Sequence, residues 1–189
     1  MKRDIILSGV GGQGILSIAA VIGRAALEDG LHIKQAEVHG MSQRGGSVVT
    51  YVRYGDKVAE PIVEEGQADV LIAFERLEAL RYAHFLKKDG VMIVNDLRMD
   101  PMPVSIGAAQ YPENIIENLK KKHQVISLDA QALAKEIGNA RVFNTIIIGV
   151  AAKRMDFAKE DWLKVIEETV PQKTIEINTR AFEAGYALG

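Results

Sequence analysis

The sequence predicts an α/β fold: a Rossmann-like, mostly parallel sheet with helices on both faces, plus an antiparallel hairpin addition. Three observations predict it. A short apolar run ends in glycines and passes into a helix-period stretch. The same strand–helix alternation resumes from residue 69. Between them lies a segment rich in β-branched and aromatic residues. Residues 4–8 (DIILS) form a buried strand, and residues 13–29 carry apolar side chains at helical spacing up to Gly30. Residues 32–38 return as a second strand, closing a βαβ opening. A polar, glycine-rich loop covers residues 39–46 (HGMSQRGG), and residues 47–54 (SVVTYVRY) form a strand. Gly55 and Asp56 mark a turn, so residues 57–63 are expected to return beside that strand, at an edge because of Pro61.

The alternation then continues. Strands are expected over 69–74, 91–95 and 124–128, and helices over 75–86, 112–122 and 130–137. Asp89-Gly90 reads as a turn and 100–103 as a loop, with Pro112 in the first turn of its helix. The remainder is helical over 144–155, 159–169 and 174–188, with the N-cap of the middle helix placed at Asp156, within a residue or two. No repeat or linker divides residues 1–189, which are read as a single domain.

Composition excludes several classes of function. A formal net charge of −2 gives no basic footprint for nucleic acid. The longest apolar runs fall far short of the ~20 residues that span a bilayer, and the opening Met-Lys-Arg-Asp lacks the features of a secretory signal. The expectation is a cytoplasmic protein with no membrane partner. There is no cysteine, which excludes disulfides, thiolate zinc sites, cysteine nucleophiles and iron–sulfur clusters held by this chain in the usual way. The four histidines show no metal-binding spacing, so no metal site is expected.

Two loops carry the candidate functional residues. Gly9, Gly11 and Gly14 match G-x-G-x-x-G between a strand and a helix, with Gly12 and Gln13 inside the motif. Glycines there permit a tight turn and leave helix N-terminal amides open to an anion. Glu37 falls near the end of the second strand, where a ribose-binding carboxylate would sit. That pattern reads as dinucleotide binding. The same glycines also serve simply to pack the helix on the sheet, and a dinucleotide half continues into another crossover helix, whereas this chain enters HGMSQRGG and a β-rich segment.

The second loop concentrates Glu37, His39, Ser42, Gln43 and Arg44 among Gly40, Gly45 and Gly46, more hydrogen-bonding capacity than a turn requires. Arg44 offers a rigid fork for a carboxylate or phosphate, and Gly45-Gly46 would let amides face an anion. A solvated loop is the plainer reading of any one of these residues. Met41 is either core or an apolar contact with a partner. No nucleophile elbow, Walker lysine or other self-contained catalytic set is present, so no catalytic residue is assigned.

The segments DIILSGVGGQGILSIAAVIGRA, AEVHGMSQRGGSVVTYVRYG, ADVLIAFERLEALR and NTIIIGVAA together resemble the gamma-type subunit or domain of 2-oxoacid:ferredoxin oxidoreductases. Their order looks most like the beta subunit of the indolepyruvate enzymes, and the similarity runs from about residue 4 to the C-terminus. The resemblance implies a holoenzyme that decarboxylates a 2-oxoacid with thiamine diphosphate and Mg, passes electrons through iron–sulfur clusters to ferredoxin, and releases an acyl-CoA. It implies that a large alpha subunit carries the thiamine and cluster sites, and that this chain binds no cofactor and is inactive alone. The Gly9–Gly14 and Glu37–Gly46 loops would then face the alpha subunit near its substrate or CoA entrance. In isolation such a chain could self-associate as a homodimer through that surface. An independent Rossmann-type dinucleotide-binding protein and a pure interaction module are the competing readings.

Overall fold

Residues 2–42 and 45–189 are described by the computed structural model; Gln43 and Arg44, two of the predicted loop residues, lie outside the described residues. β1 (Lys2–Val10) is buried on both faces, which is why its apolar run is continuous and not alternating. Ile5 and Leu7 face one core, and Ile6 faces the other. α1 (Ile15–Glu28) follows, burying Ile15, Ile18, Ala19, Ile22, Ala25 and Ala26 along one stripe. The remaining strands are β2 (His32–His39), β3 (Ser47–Gly55), β4 (Ala68–Ala73), β5 (Leu86–Asn95) and β6 (Gln124–Leu128), in the spatial order β2-β3-β1-β4-β5-β6.

β1, β4, β5 and β6 are parallel neighbours, so the sheet is mostly parallel, as expected. The antiparallel strand is β3, but its partners are not those predicted. It pairs with β2 on one side (Val38↔Val49) and along its full length with β1 on the other (Lys2↔Gly55, Val10↔Ser47). Residues 57–63 form no strand. The hairpin is therefore β2–β3, with β2 at the edge of the sheet and β3 inside it. Two apolar faces explain this: Val52 and Tyr54 enter one core while Val49 and Tyr51 enter the other, a pattern a peripheral hairpin does not need.

α2 (Arg76–Tyr82) is shorter than predicted, because a 3-10 turn at Ala83–Phe85 leads directly into β5. Asp89 and Gly90 lie within β5, not in a turn, and the register of β4 against β5 shifts there. Gly90 has no room for a side chain, since a Cβ would lie 2.7 Å from Leu86 Cδ1 and 2.9 Å from the Ala68 carbonyl. The predicted loop after β5 contains α3 (Met102–Ser105), and Pro112 precedes α4 (Ile115–Lys120) instead of opening it. α5 (Ala130–Ile137), α6 (Phe143–Ala152), α7 (Lys159–Thr169) and α8 (Ile175–Leu188) complete the chain. The cap of α7 is Ala158, whose N–H donates to Asp161 Oδ2 at 3.2 Å; Asp156 instead pairs with Arg3 at 2.6 Å. α1 and α5–α8 cover one face, and α2 and α4 the other.

Candidate functional site

Both glycine-rich segments lie at the carboxyl ends of β1 and β2, and backbone hydrogen bonds join them. Gly11 N–H donates to the Gly46 carbonyl at 2.8 Å, and Gly45 N–H donates to the Gly11 carbonyl at 3.3 Å. The β1–β3 ladder thus continues past Val10 into the loops. Gly12 and Gly45 hold φ of +99° and +78°, conformations that glycine adopts without strain.

Gln13 is buried, which the sequence reading did not anticipate. Its Oε1 accepts from Val10 N–H at 2.7 Å and its Nε2 donates to the Phe74 carbonyl at 3.0 Å. In a parallel pair the rung after Phe74 N–H to Ser8 O, formed here at 2.8 Å, would be Val10 N–H to Phe74 O. The Gln13 amide, chemically a peptide analogue, stands in for that rung where β1 and β4 part. Asn95 Nδ2 shares the same carbonyl at 3.1 Å. Gly9 is closed on three sides, its Cβ position lying 2.6 Å from Gln13 Oε1, 2.8 Å from Ile15 Cδ1 and 2.9 Å from Phe74 Cβ. Gly14 caps α1 in a left-handed conformation, φ +79°, with Asn144 Nδ2 2.6 Å from where a Cβ would stand. Two of the fingerprint glycines are therefore packing glycines. Gly12 differs, with nothing within 4 Å of its Cβ position, so its backbone is open to a neighbour.

A cavity of about 460 Å³ lies between this turn and the second loop, lined by residues 10–16 with Glu37, His39 and Val48. Glu37 borders it, but its Oε2 accepts from Thr50 on β3 at 3.2 Å. Because β3 separates β2 from β1, Glu37 stands two strands from β1, about 10 Å, and not on the adjacent strand as a ribose carboxylate would. His39 Nδ1 lies 2.9 Å from the Gly40 carbonyl, a local contact. Met41 is fully exposed, which settles the choice between core and surface. Ser42 adjoins Gly46, whose Cβ position is 2.8 Å from the Ser42 carbonyl.

The sequence reading missed a pair of buried carboxylates beneath the second loop. Glu75 and Glu78 are 1 % and 4 % exposed at the start of α2. Glu75 Oε2 caps the helix by accepting from Glu78 N–H at 3.0 Å, while its Oε1 accepts from Met99 N–H at 3.1 Å and from the Tyr111 hydroxyl. Glu78 Oε2 accepts from Ser47 Oγ at 2.5 Å, and Arg81 lies 3.2 Å from its Oε1. Burial pushes the Glu78 carboxyl above its ordinary range, against the Ser47 hydrogen bond and the Arg81 charge, with Glu75 adding to the rise. Burial and the bond to Glu75 likewise push the Tyr111 hydroxyl up. The only signal in the sequence is F-E-R-L-E, two glutamates three apart just after a buried strand. The pair borders a second cavity of about 210 Å³, shared with Gly45, Gly46 and Met99.

A wider cleft of about 980 Å³ lies beyond β5 and β6. Its arginines are neutralised, Arg76 by Asp96 and Arg98 by Asp100 at 2.6 Å, which leaves little free charge for an anion. Among the described residues no group of three or more His, Asp or Glu could hold a metal ion. Among the described residues no helix is long and apolar enough to cross a membrane.

Comparison with known proteins fits this arrangement. The family model described as pyruvate ferredoxin/flavodoxin oxidoreductase matches residues 4–188. The indolepyruvate oxidoreductase subunit IorB of Thermococcus kodakarensis is 44 % identical over 97 % of this chain and 94 % of its own length. The common gamma subunit of the pyruvate/ketoisovalerate oxidoreductases of the same organism is 28 % identical, over 97 % and 95 %. The crystal structure of a keto/oxoacid ferredoxin oxidoreductase gamma subunit from Geobacter sulfurreducens superposes with a TM-score of 0.73 at 25 % identity, covering 98 % of this chain and 97 % of the other.

Proposed function

The chain belongs to the pyruvate ferredoxin/flavodoxin oxidoreductase family, and from that premise we propose that it is the small subunit of an indolepyruvate:ferredoxin oxidoreductase. The choice of substrate rests on one contrast. Within a single organism, identity is 44 % to the indolepyruvate subunit and 28 % to the pyruvate/ketoisovalerate one, over nearly equal lengths. A dinucleotide-binding role is not favoured, since β3 displaces Glu37 from the position such a ligand uses.

The subunit contributes a surface and not a reaction centre. Thiamine diphosphate, Mg, the iron–sulfur clusters and CoA belong to the holoenzyme, with thiamine and clusters on a large partner subunit that passes electrons to ferredoxin. The lack of cysteine supports this, because clusters hang on thiolates. The observation that carries the reading is where apolar surface is left uncovered. Among the exposed large hydrophobic residues described, Val38 lies near the end of β2, Met41 and Met99 lie on the loops beyond β2 and β5, Leu16 stands in the first turn of α1, and Met102 and Ile106 open and follow α3. Apolar side chains gathered on one rim mark an interface. The Gly9–Gly14 and Glu37–Gly46 loops share that rim and face the partner near its substrate or CoA entrance. Arg44 supplies the fork that meets an anion or a partner carboxylate, supported by Ser42 and Gln43. The same rim would pair two copies in a homodimer when the chain is isolated.

Co-purification from the native host tests the reading. The expected result is a stable complex with a long, cysteine-rich, thiamine-binding polypeptide and indolepyruvate-dependent reduction of ferredoxin. Recovery of the chain alone, or turnover by the chain without a partner, would overturn it. In the reconstituted complex, Arg44→Ala is expected to weaken assembly or raise a Michaelis constant; wild-type values for both would remove Arg44 from this role.

A further inference from the structure

We propose that Glu78 is a positioning residue that, through Ser47, sets the conformation in which the second glycine-rich loop meets the large subunit; the inference rests on the small-subunit reading above.

Ser47 is the first residue of β3 and directly follows Gly46. Its hydroxyl donates to Glu78 Oε2 at 2.5 Å, from a strand to a helix thirty-one residues away. Gly46 then accepts from Gly11 N–H and Gly45 donates to the Gly11 carbonyl, so one side-chain hydrogen bond lies at the root of both loops. Glu78 is itself held. Arg81 occupies its other oxygen, and Ser8 Oγ, in β1, donates to the Glu78 carbonyl at 3.4 Å. A loop rich in glycine has many conformations open to it, so a fixed anchor at its base decides which is populated.

Burial of a carboxylate is costly unless its oxygens are satisfied, and a leucine at this position would fill the same space without that cost. The fold places two glutamates here. Glu75 explains itself as the cap of α2 and the tie for Met99 and Tyr111. Glu78 caps nothing, and its side-chain partners among the described residues are Ser47 and Arg81, both bordering the 210 Å³ cavity beneath the loop. Its position above the ordinary carboxylate range follows from burial. Among the described residues, the charged and titratable groups around it are Arg81, Glu75 and Tyr82, Tyr111 through Glu75, and Asp100 across the cavity. Glutamine in place of Glu78 keeps an acceptor for Ser47 and gives up the charge and the acceptor oxygen facing Arg81, whose half-exposed guanidinium can turn to water.

The test has two arms. In the isolated chain, hydrogen exchange reads the amides of Gly11 and Gly45. Ser47→Ala and Glu78→Ala are expected to lower their protection about tenfold, the loss of one hydrogen bond to a charged group. Glu78→Gln is expected to restore it. In the reconstituted complex, each variant is titrated into a fixed amount of large subunit. The half-saturating concentration is expected to rise about tenfold for Ser47→Ala and Glu78→Ala while the plateau rate stays within about twofold, with Glu78→Gln near wild type. The double variant Ser47→Ala/Glu78→Ala is expected to be no worse than the poorer single one, since both remove the same bond. Unchanged protection at Gly11 and Gly45, additive effects in the double variant, or a Glu78→Gln variant as impaired as Glu78→Ala would overturn the proposal. Failure of the wild-type chain to bind any large subunit would instead sink the small-subunit reading, and the exchange arm would still decide whether Glu78 holds the loop.

Discussion

Replacing Gln13 with leucine keeps the volume of the side chain and removes its amide, and it isolates what the glycine motif does in this fold. Three hydrogen bonds are lost, of which the one to Met99 Sδ at 3.5 Å is weak and adds little to the sum. Val10 N–H loses the partner it has at 2.7 Å, and it is buried, so the cost of leaving it unpaired is about 1–3 kcal/mol. The Phe74 carbonyl loses the donor at 3.0 Å but keeps Asn95 Nδ2 at 3.1 Å, so its loss is an ordinary net hydrogen bond, about 1 kcal/mol. The sum is about 2–4 kcal/mol. At about 2–4 °C per kcal/mol for a domain of this size, the thermal midpoint falls by roughly 4–16 °C. Calorimetric or circular-dichroism melting of the isolated chain measures it. Gln13→Glu should be as damaging at neutral pH, because a carboxylate accepts from Val10 but repels the Phe74 carbonyl. A Gln13→Leu variant within about 0.5 kcal/mol of wild type would refute the argument that the amide completes the β1–β4 ladder. Gln13 would then have to act on a bound group.

Three further outcomes follow from the geometry. Gly185→Ala places a Cβ 2.0 Å from the Ile146 carbonyl where α8 crosses α6, and Gly149→Ala places one 2.2 Å from the Phe182 carbonyl; each should cost about 3 kcal/mol or more, read as a lowered denaturation midpoint. Asp156 accepts both guanidinium bonds of Arg3, at 2.6 and 2.7 Å, which hold its carboxyl below the ordinary range; that stability is present above the unfolded pKa and is lost as pH falls through the folded one, so Asp156→Asn should cost about 1 kcal/mol at neutral pH and flatten the acid limb of the stability profile. Titration calorimetry with NAD, NADP and FAD should give no saturable heat, since Glu37 is occupied by Thr50 and stands a strand too far from β1; saturable binding would revive the dinucleotide reading.

Most of the fold was legible because its signals are local. The helix stripe of α1, the apolar run of β1 and the alternation from β4 to α5 each lie within a window of a few residues. The position of β3 was not, because pairing between strands is a long-range choice. Residues 47–54 read correctly as a strand, but Gly55-Asp56 suggested a partner downstream, when the partners are Lys2–Val10 and His32–His39 upstream. A strand with apolar residues on both faces was the available clue, since it demands a neighbour on each side and a core above and below. In the candidate site the glycines were legible as a motif but not in their roles. Gly9 and Gly14 relieve contacts made by Phe74 and Asn144, residues 65 and 130 positions away in the chain, and no local pattern reports that. Glu75 and Glu78 were passed over because carboxylates on a short helix usually face water. Only the fold shows both turned inward.

The insertion of β3 has a consequence for the reaction the family carries out. In an open parallel sheet the crevice between the strand after the glycine turn and its neighbour accepts a ligand at the carboxyl edge. Here that neighbour is antiparallel, so β3 begins at the edge where β1 ends, and its leading loop folds back onto the turn through Gly45 and Gly46. Backbone hydrogen bonds at Gly11, Gly45 and Gly46 bridge β1 to its neighbour where a pyrophosphate would lie between two parallel strands, and the 460 Å³ cavity that remains lies between the glycine turn and the second loop. In exchange, two loops that would otherwise hang separately become one surface, tied by Gln13 to β4 and by Ser47 to α2. A small subunit of the kind proposed, presenting hydrogen-bond donors to a partner, would need a rigid rim more than a pocket of its own. Deleting the tie should therefore weaken assembly before it alters chemistry, and a variant of Ser47 with normal assembly but slow turnover would place the rim inside the active site instead of beside it.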